Sequence, residues 1–344
     1  MNELLTFTTP LGVIVAFALA AGIILLAGIR LSVVADQLAD RTGLGEAIVG
    51  SVLLGAATSL SGLTMSVTAA WQGYAELAIS NSLGGIAAQT LFLAAADIVY
   101  RRANLEHAAA SLENMLQGTV LIGALSLIVL AIAVPELSFL GLHPVTPAIF
   151  GFYLLGLGVT KNARETPGWR AERTRETETD EPDPQAQDLS LPRLIISFVL
   201  LAAVTAMGGF LVSRAAEGAI LVFSLSESVA GAFLTAIVTS LPELVTTIAA
   251  VRRGALTLAV GGIIGGNAFD TLFVAASDVA YREGSIYAAV GEKQLFLIGL
   301  TVAMTAVLLM GLLRRQKEGF GRIGFETVLI IGLYLAGSSI LIMR

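Results

Sequence analysis

The feature that most constrains this chain is a series of apolar stretches, each long enough to cross a bilayer, recurring from one end to the other. Leu11 to Gly28 holds no charged residue, and a helix crossing the hydrocarbon core needs about 20 mainly apolar residues. On that criterion the sequence predicts ten spans: Pro10–Ile29, Glu46–Ala70, Glu76–Val99, Met115–Val134, Pro144–Thr160, Arg193–Val212, Ser226–Val251, Ala255–Ala280, Lys293–Leu313 and Ile323–Met343. The fifth is the shortest and opens on a proline. Of the 344 residues, 13% are charged, whereas a soluble domain averages about a quarter. A soluble fold of this length needs more polar surface than that. The predicted class is therefore an all-α polytopic membrane protein, with the lipid bilayer as its partner.

Composition also closes off chemistry. The chain has no cysteine, so disulfides, haem attachment and thiolate metal sites are excluded. His107 and His143 are the only imidazoles and fall at predicted helix ends, which argues against zinc. The formal charge of −6 sits mostly in one acidic loop, which argues against a nucleic-acid partner. No Arg or His lies inside a predicted span, as an intramembrane enzyme acting on a lipid phosphate would require. Neither an enzyme nor a bound cofactor is expected. Leu11–Gly28 follows Glu3 with no basic segment before it and is long enough to span, so it does not read as a cleavable signal.

Between the fifth and sixth spans lies the one long polar segment, Lys161 to Leu191, with Pro167, Pro182, Pro184 and an acid run from Glu176 to Asp183. Such a segment cannot bury enough apolar surface to pack. It reads as a cytoplasmic linker, residues 161–192, between two five-helix halves at 1–160 and 193–344. Placing the N-terminus outside puts about sixteen Lys and Arg on the cytoplasmic side and four outside, the bias that sets orientation in a cell membrane. Both termini then face outward.

The chain also repeats itself. Thr58-Ser59-Leu60 recurs as Thr239-Ser240-Leu241, Gly84-Gly85 as Gly265-Gly266, Thr90-Leu91-Phe92 as Thr271-Leu272-Phe273, and Asp97 with Tyr100-Arg101 as Asp278 with Tyr281-Arg282. One ungapped offset of about 181 residues aligns them all, and about 19 of the 44 positions from Thr58 to Arg101 match. The repeats occupy roughly 46–101 and 226–282. Five spans per half is an odd number, so the second copy is predicted to insert upside down. Inverted repeats of this kind build secondary transporters, with the substrate site at the midplane.

A carboxylate in mid-bilayer costs about 2.5–3.5 kcal/mol on insertion scales, so it is rarely placed there without a task. Two qualify: Glu243 in span seven and Asp270 in span eight. Thr239 and Glu243, four residues apart, share a helix face. Pro242 cannot donate to the carbonyl of Val238 and should kink the helix there, freeing a backbone oxygen beside the carboxylate. Hydroxyls, a carbonyl and a carboxylate together suit a hard cation. Asn267 lies three residues before Asp270. Asp97 and Asp278 fall near span ends and read as interfacial anchors. The first repeat retains Thr58, Ser59 and Gln89, the last matching Asp270, but has Ser61 for Pro242 and Gly62 for Glu243.

At these residues the chain resembles the calcium:cation antiporter superfamily, the sodium/calcium exchangers and their prokaryotic relatives. The likeness rests on Thr239-Ser240-Leu241-Pro242-Glu243 and on Gly265-Gly266-Asn267-Ala268-Phe269-Asp270, and covers both repeats and the five-plus-five plan. The resemblance implies Thr239, Ser240, Glu243 and Asp270 as ion ligands facing Thr58, Ser59 and Gln89, with Glu243 and Asp270 carrying the metal charge. It implies Asn267 as a structural neighbour and spans one and six as sliding elements. It also implies transport of Ca²⁺ against Na⁺ or H⁺ by alternating access. Two departures stand out. Family members bring one glutamate from each repeat, where this chain has Gly62, and serines where it has Gly85 and Gly266. The alternatives are a carrier of Na⁺, H⁺ or another cation without Ca²⁺, and a non-transporting scaffold or sensor.

Overall fold

The computed structural model describes residues 7–42, 51–100, 103–135, 137–139, 142–169, 189–317, 319 and 323–343. The first residues of the second predicted span and the acid run of the linker lie outside them. The described residues are helical in α1 (Pro10–Thr42), α2 (Ser51–Thr58), α3 (Leu60–Trp71), α4 (Ala75–Tyr100), a short α5 (Leu105–Ala109), α6 (Leu112–Ala133), α7 (Val145–Glu165) and α8 (Leu191–Phe223). The chain continues through α9 (Glu227–Val229), a π-helical turn (Ala230–Thr235), α10 (Ala236–Thr239), α11 (Leu241–Arg252), α12 (Leu256–Ala280), α13 (Glu292–Arg314) and α14 (Phe325–Met343). Seven of these helices are each long and apolar enough to span a bilayer. The bent run from Glu227 to Arg252 makes an eighth candidate. Predicted span two corresponds to the broken pair α2–α3, and span five to α7. α7 continues to Glu165 and α8 begins at Leu191.

The surface is apolar where a soluble protein would be polar. Leu11, Leu19 and Leu26 on α1, Leu154 and Leu155 on α7, and Val199 and Leu200 on α8 all stand exposed. Helices with satisfied backbones and such a surface belong in lipid. At the centre run α4 and α12, buried along most of their length. The polar stretch Ser80-Asn81-Ser82 lies wholly inside the protein.

The repeat's offset extends into the packing, beyond the segment where the sequence displays it. A Cβ on Gly28 of α1 would stand 2.6 Å from Pro242 Cγ. One on Gly209 of α8, the residue that the same offset pairs with Gly28, would collide with the backbone of Ser61, the residue matching Pro242. Each long helix thus rests by a glycine directly on the interrupted helix of the other half, where no larger residue fits. α1 and α8 also pack against each other.

Asp97 and Asp278 are corrections to the sequence reading. Neither is an exposed interfacial anchor, since both are completely buried. Asp97 accepts from Leu105 N (2.8 Å), Gly324 N (3.3 Å) and the Thr327 hydroxyl (2.7 Å). Asp278 accepts from Ile286 N (3.0 Å), His143 N (3.1 Å) and the Thr146 hydroxyl (2.6 Å). The offset of the repeat pairs Leu105 with Ile286, His143 with Gly324 and Thr146 with Thr327. Each carboxylate ties the end of a central helix to the start of the other half's last helix, satisfying loop donors that water cannot reach. Asp278→Ala would strand three donors. It is expected to destabilise the protein by about 2–4 kcal/mol, from the cost of unpaired buried groups, and to lower its thermal unfolding temperature in detergent. An unchanged temperature would contradict the clasp.

Candidate functional site

Both interrupted helices break at the equivalent serine. The first interruption, at Ser59 between α2 and α3, is slight, since its backbone stays in the right-handed region with φ −80° and ψ 0°; at Ser240, between α10 and α11, the two arms bend by 46°. Pro242, in the first turn of α11, suits the second break because its missing N–H needs no partner there. The first break has no proline, so the interruption belongs to the repeat and not to Pro242 alone. The backbone oxygen drawn across the helices is that of Thr239, which accepts from the Ser61 hydroxyl at 3.0 Å.

Ser59, Gln89, Thr239, Ser240, Glu243 and Asp270 line one cavity of about 190 Å³ between the two breaks and the middles of α4 and α12. The room at its centre is about 10 Å³, enough for one water-sized species, so it suits an inorganic ion and not an organic ligand. Glu243 and Asp270 are 5% and 2% exposed. The Ser59 hydroxyl lies 3.4 Å from Glu243 Oε1. The Gln89 amide donates to Asp270 Oδ2 at 2.7 Å and to the Ser240 hydroxyl at 3.2 Å. Thr58 donates to the Gly55 carbonyl at 3.1 Å and lies against the Glu243 carboxyl. Asn267 is directed elsewhere, donating to the Thr90 hydroxyl at 3.0 Å.

Three buried oxygens in this cluster accept no hydrogen bond: Glu243 Oε2, Asp270 Oδ1 and Gln89 Oε1. In a membrane interior such atoms are costly unless something positive meets them. Two carboxylates, an amide oxygen and the surrounding hydroxyls form a hard-oxygen donor set. Among the described residues there is no group of three acidic or imidazole side chains that could hold a metal, and the acids lining this cavity are Glu243 and Asp270.

Two residues of the cavity wall were not singled out from the sequence. Asn81 accepts from the Thr235 hydroxyl at 2.7 Å and donates to the Gly62 carbonyl at 3.3 Å and to the Ser66 hydroxyl at 2.9 Å. It stitches α3 and α4 to the π-helical turn. Its signal was available as a polar triplet in the middle of an apolar span. Phe273 sits where the first repeat lacks its acid: a Cβ on Gly62 would lie 2.8 Å from the Phe273 ring. Nothing local in the sequence pairs Gly62 with Phe273, because their contact is made only by the crossing of α3 and α12.

The sodium/calcium exchanger protein family model matches residues 12–158 and 193–343. CaxA of Alkalimonas amylolytica is 26% identical over 283 residues, 81% of this chain and 83% of that protein. The inner membrane protein YrbG of Escherichia coli K12 is 45% identical over 64 residues, 19% of this chain and 20% of that protein. Among solved structures, the H⁺/Ca²⁺ exchanger CAX superposes with a TM-score of 0.68 at 15% identity, over 96% of this chain and 86% of that one. The sodium-calcium exchanger NCX_Mj superposes with a TM-score of 0.55 at 18% identity, over 95% and 98%. At those identities the superpositions speak for the fold. The family match takes in both halves and stops short of the linker between them: the chain belongs to the sodium/calcium exchanger family.

Proposed function

We propose that this chain is a secondary active cation antiporter that works by alternating access, moving Ca²⁺ against Na⁺ or H⁺. Its ten transmembrane helices form two inverted five-helix repeats, with both termini outside a cell membrane. One observation carries the reading. Carboxylates from α11 and α12 converge in a single buried cavity whose other oxygens come from both halves of the chain, and three buried oxygens there, one on each carboxylate and one on Gln89, accept no hydrogen bond. The packing of α1 and α8 across the two broken helices supports them as the moving elements, because both cover the site while presenting apolar faces to lipid. The two solved neighbours are themselves exchangers of H⁺ with Ca²⁺ and of sodium with calcium.

With both carboxylates ionised, the cavity carries the two charges that balance one Ca²⁺. If they share a proton it holds one and suits a monovalent ion. The second reading, a carrier of Na⁺ or H⁺ without Ca²⁺, is favoured by Phe273, which fills the space opposite Glu243 with hydrocarbon. Flux assays in proteoliposomes, with Ca²⁺, Na⁺ and a proton gradient varied in turn, separate these readings. Absence of ion-dependent flux in all arms would leave the scaffold. Gln89→Ala is expected to weaken cation uptake by roughly ten-fold, the worth of one or two buried hydrogen bonds to a charged group. It should cost less than either carboxylate, and a loss as complete as theirs would make Gln89 an obligate ligand.

A further inference from the structure

The two aspartate clasps differ in what surrounds them. Beside Asp97 two more acids are enclosed, Glu106 on α5 and Glu326 in the first turn of α14, at 1% and 0% exposure. The Asn104 side chain joins them: its amide donates to Glu326 Oε1, and its oxygen accepts from Glu106 N at 3.2 Å. Each glutamate keeps one buried oxygen, Oε2, that accepts from no donor among the described residues. The two carboxyls are in hydrogen-bonding contact with each other. Glycines give them their space. A Cβ on Gly311 of α13 would stand 2.7 Å from Glu326 Cγ, and one on Gly324 would collide with Glu326 Oε1 and the Asn104 amide nitrogen.

The clasp at Asp278 has no such pair. The offset of the repeat matches Glu106 with Tyr287 and Glu326 with Val145. Tyr287 is buried and its hydroxyl meets that of Thr146 at 3.2 Å. A phenol and hydrocarbon thus stand at one clasp where two acids stand at the other. Around the acids, α4 brings Asp97 and Tyr100, and α12 brings the uncharged Leu256, Ala259 and Val260. Glu113 opens the adjoining α6. His107 on α5 holds the end of α13: its Nδ1 lies 2.7 Å from the Arg315 carbonyl, and Arg315 donates to the His107 carbonyl at 3.3 Å. Arg314 lies over the Phe325 ring at 5.1 Å, and the Lys317 carbonyl accepts from Asn104 N at 3.0 Å. Burial above all, then the charges of Asp97 and Glu326, push the Glu106 carboxyl well above the usual carboxylate range.

We propose that Glu106 and Glu326 form a proton-binding site, in which one proton shared between the two carboxyls keeps α5 and the start of α14 closed on the end of α4. Two touching carboxylates in a buried site resist ionising together. When the proton passes to water, the one O–H bond between them is broken and two anions remain beside Asp97. Their repulsion opens the clasp. None of these residues lines the cation cavity, so the site stands whether or not the chain transports. Its sign is set by linkage: the stabilisation is present below the ordinary carboxylate range and is lost as pH rises through the raised value of the folded pair.

Glu106→Gln tests this, because its amide donates to Glu326 at every pH and closes the clasp without a proton. Unfolding temperatures of the purified full chain in detergent are measured from acid to alkaline pH. The unsubstituted protein should lose stability relative to Glu106→Gln as pH rises, the difference between them changing by about 3 °C or more. Parallel curves would overturn the proton site. The chain has no cysteine, so Ala109→Cys places a single thiol on the buried face of α5 to report opening. Its rate of reaction with a water-soluble methanethiosulfonate is divided by the rate in Ala109→Cys with Glu106→Gln at the same pH, which cancels the ionisation of the thiol itself. That ratio should rise roughly ten-fold from mildly acidic to alkaline pH, as local opening exposes the thiol. A constant ratio would overturn the opening. If Glu106→Gln does not fold, Glu326→Gln replaces it with the same expectations, since it supplies the permanent donor from the other side.

Discussion

Glu243→Gln is expected to abolish cation flux, lowering it by two orders of magnitude or more. Removing one member of a buried charge cluster costs about 3–5 kcal/mol when its partner charge stays behind, and here the partner is the transported ion itself. The substitution keeps the shape of the side chain and its place against Ser59 and Thr58, so the loss reports charge rather than packing. Asp270→Asn should fall nearly as far, since among the described residues no third acid joins the cavity to take over. Ion-driven uptake into proteoliposomes, with each variant's fold checked by its elution profile, measures both. Near-normal uptake by a well-folded Glu243→Gln protein would remove Glu243 from the site.

Much of the architecture was legible because the bilayer enforces it. An apolar run of about 20 residues has few other stable fates, and an intramembrane Glu or Asp is costly enough to announce itself. Glu243 and Asp270, with Thr239 by its spacing from Glu243, were therefore candidates from the residues alone, while Ser59, Gln89 and Ser240 were named as ligands from the resemblance. The helix breaks were half legible. Pro242 flags the second, but the first has only serine and glycine to mark it. What the sequence could not display were relations made by crossing helices. The polar carboxylates of Asp97 and Asp278 looked like surface anchors because their partners, Thr327 and Thr146, lie far along the chain. The interrupted helices, the Asp clasps and the seats of Gly28 and Gly209 all obey the one offset of the repeat, yet divergence outside the central segment had hidden it. Phe273 was the hardest to see. It belongs to a matched Thr-Leu-Phe in both repeats, and only the crossing of α3 and α12 shows its ring against Gly62.

That ring decides what a missing acid can be made to do. Position 62 stands four residues after Thr58, as Glu243 stands after Thr239, so a glutamate there should project into the cavity. A Cβ on Gly62 would lie 3.6 Å from the Thr239 hydroxyl, an ordinary contact on the cavity side, but 2.8 Å from the Phe273 ring. Gly62→Glu alone is therefore expected to lose stability rather than gain affinity, since overpacking of this kind costs about 1–3 kcal/mol. Opening the space should reverse the outcome. In the double variant Gly62→Glu with Phe273→Ala, a third carboxylate faces Glu243, and Ca²⁺ affinity should rise roughly ten-fold or more above that of Phe273→Ala, because carboxylate count tunes calcium sites over orders of magnitude. Na⁺ affinity should rise less, its single charge having little use for a third acid. The proper comparison is with Phe273→Ala, because truncating that ring alone leaves a hole that admits water and alters affinity for reasons unrelated to charge. The gain should also shrink in acid, since three close carboxylates without an ion must hold protons that Ca²⁺ then has to displace. Calorimetric titration of Ca²⁺ and Na⁺ into the purified variants measures each of these effects. Equal Ca²⁺ affinity in a well-folded double variant and in Phe273→Ala would mean that position 62 no longer faces the ion, and the cation would then be held by the second repeat with Gln89 and Ser59 alone.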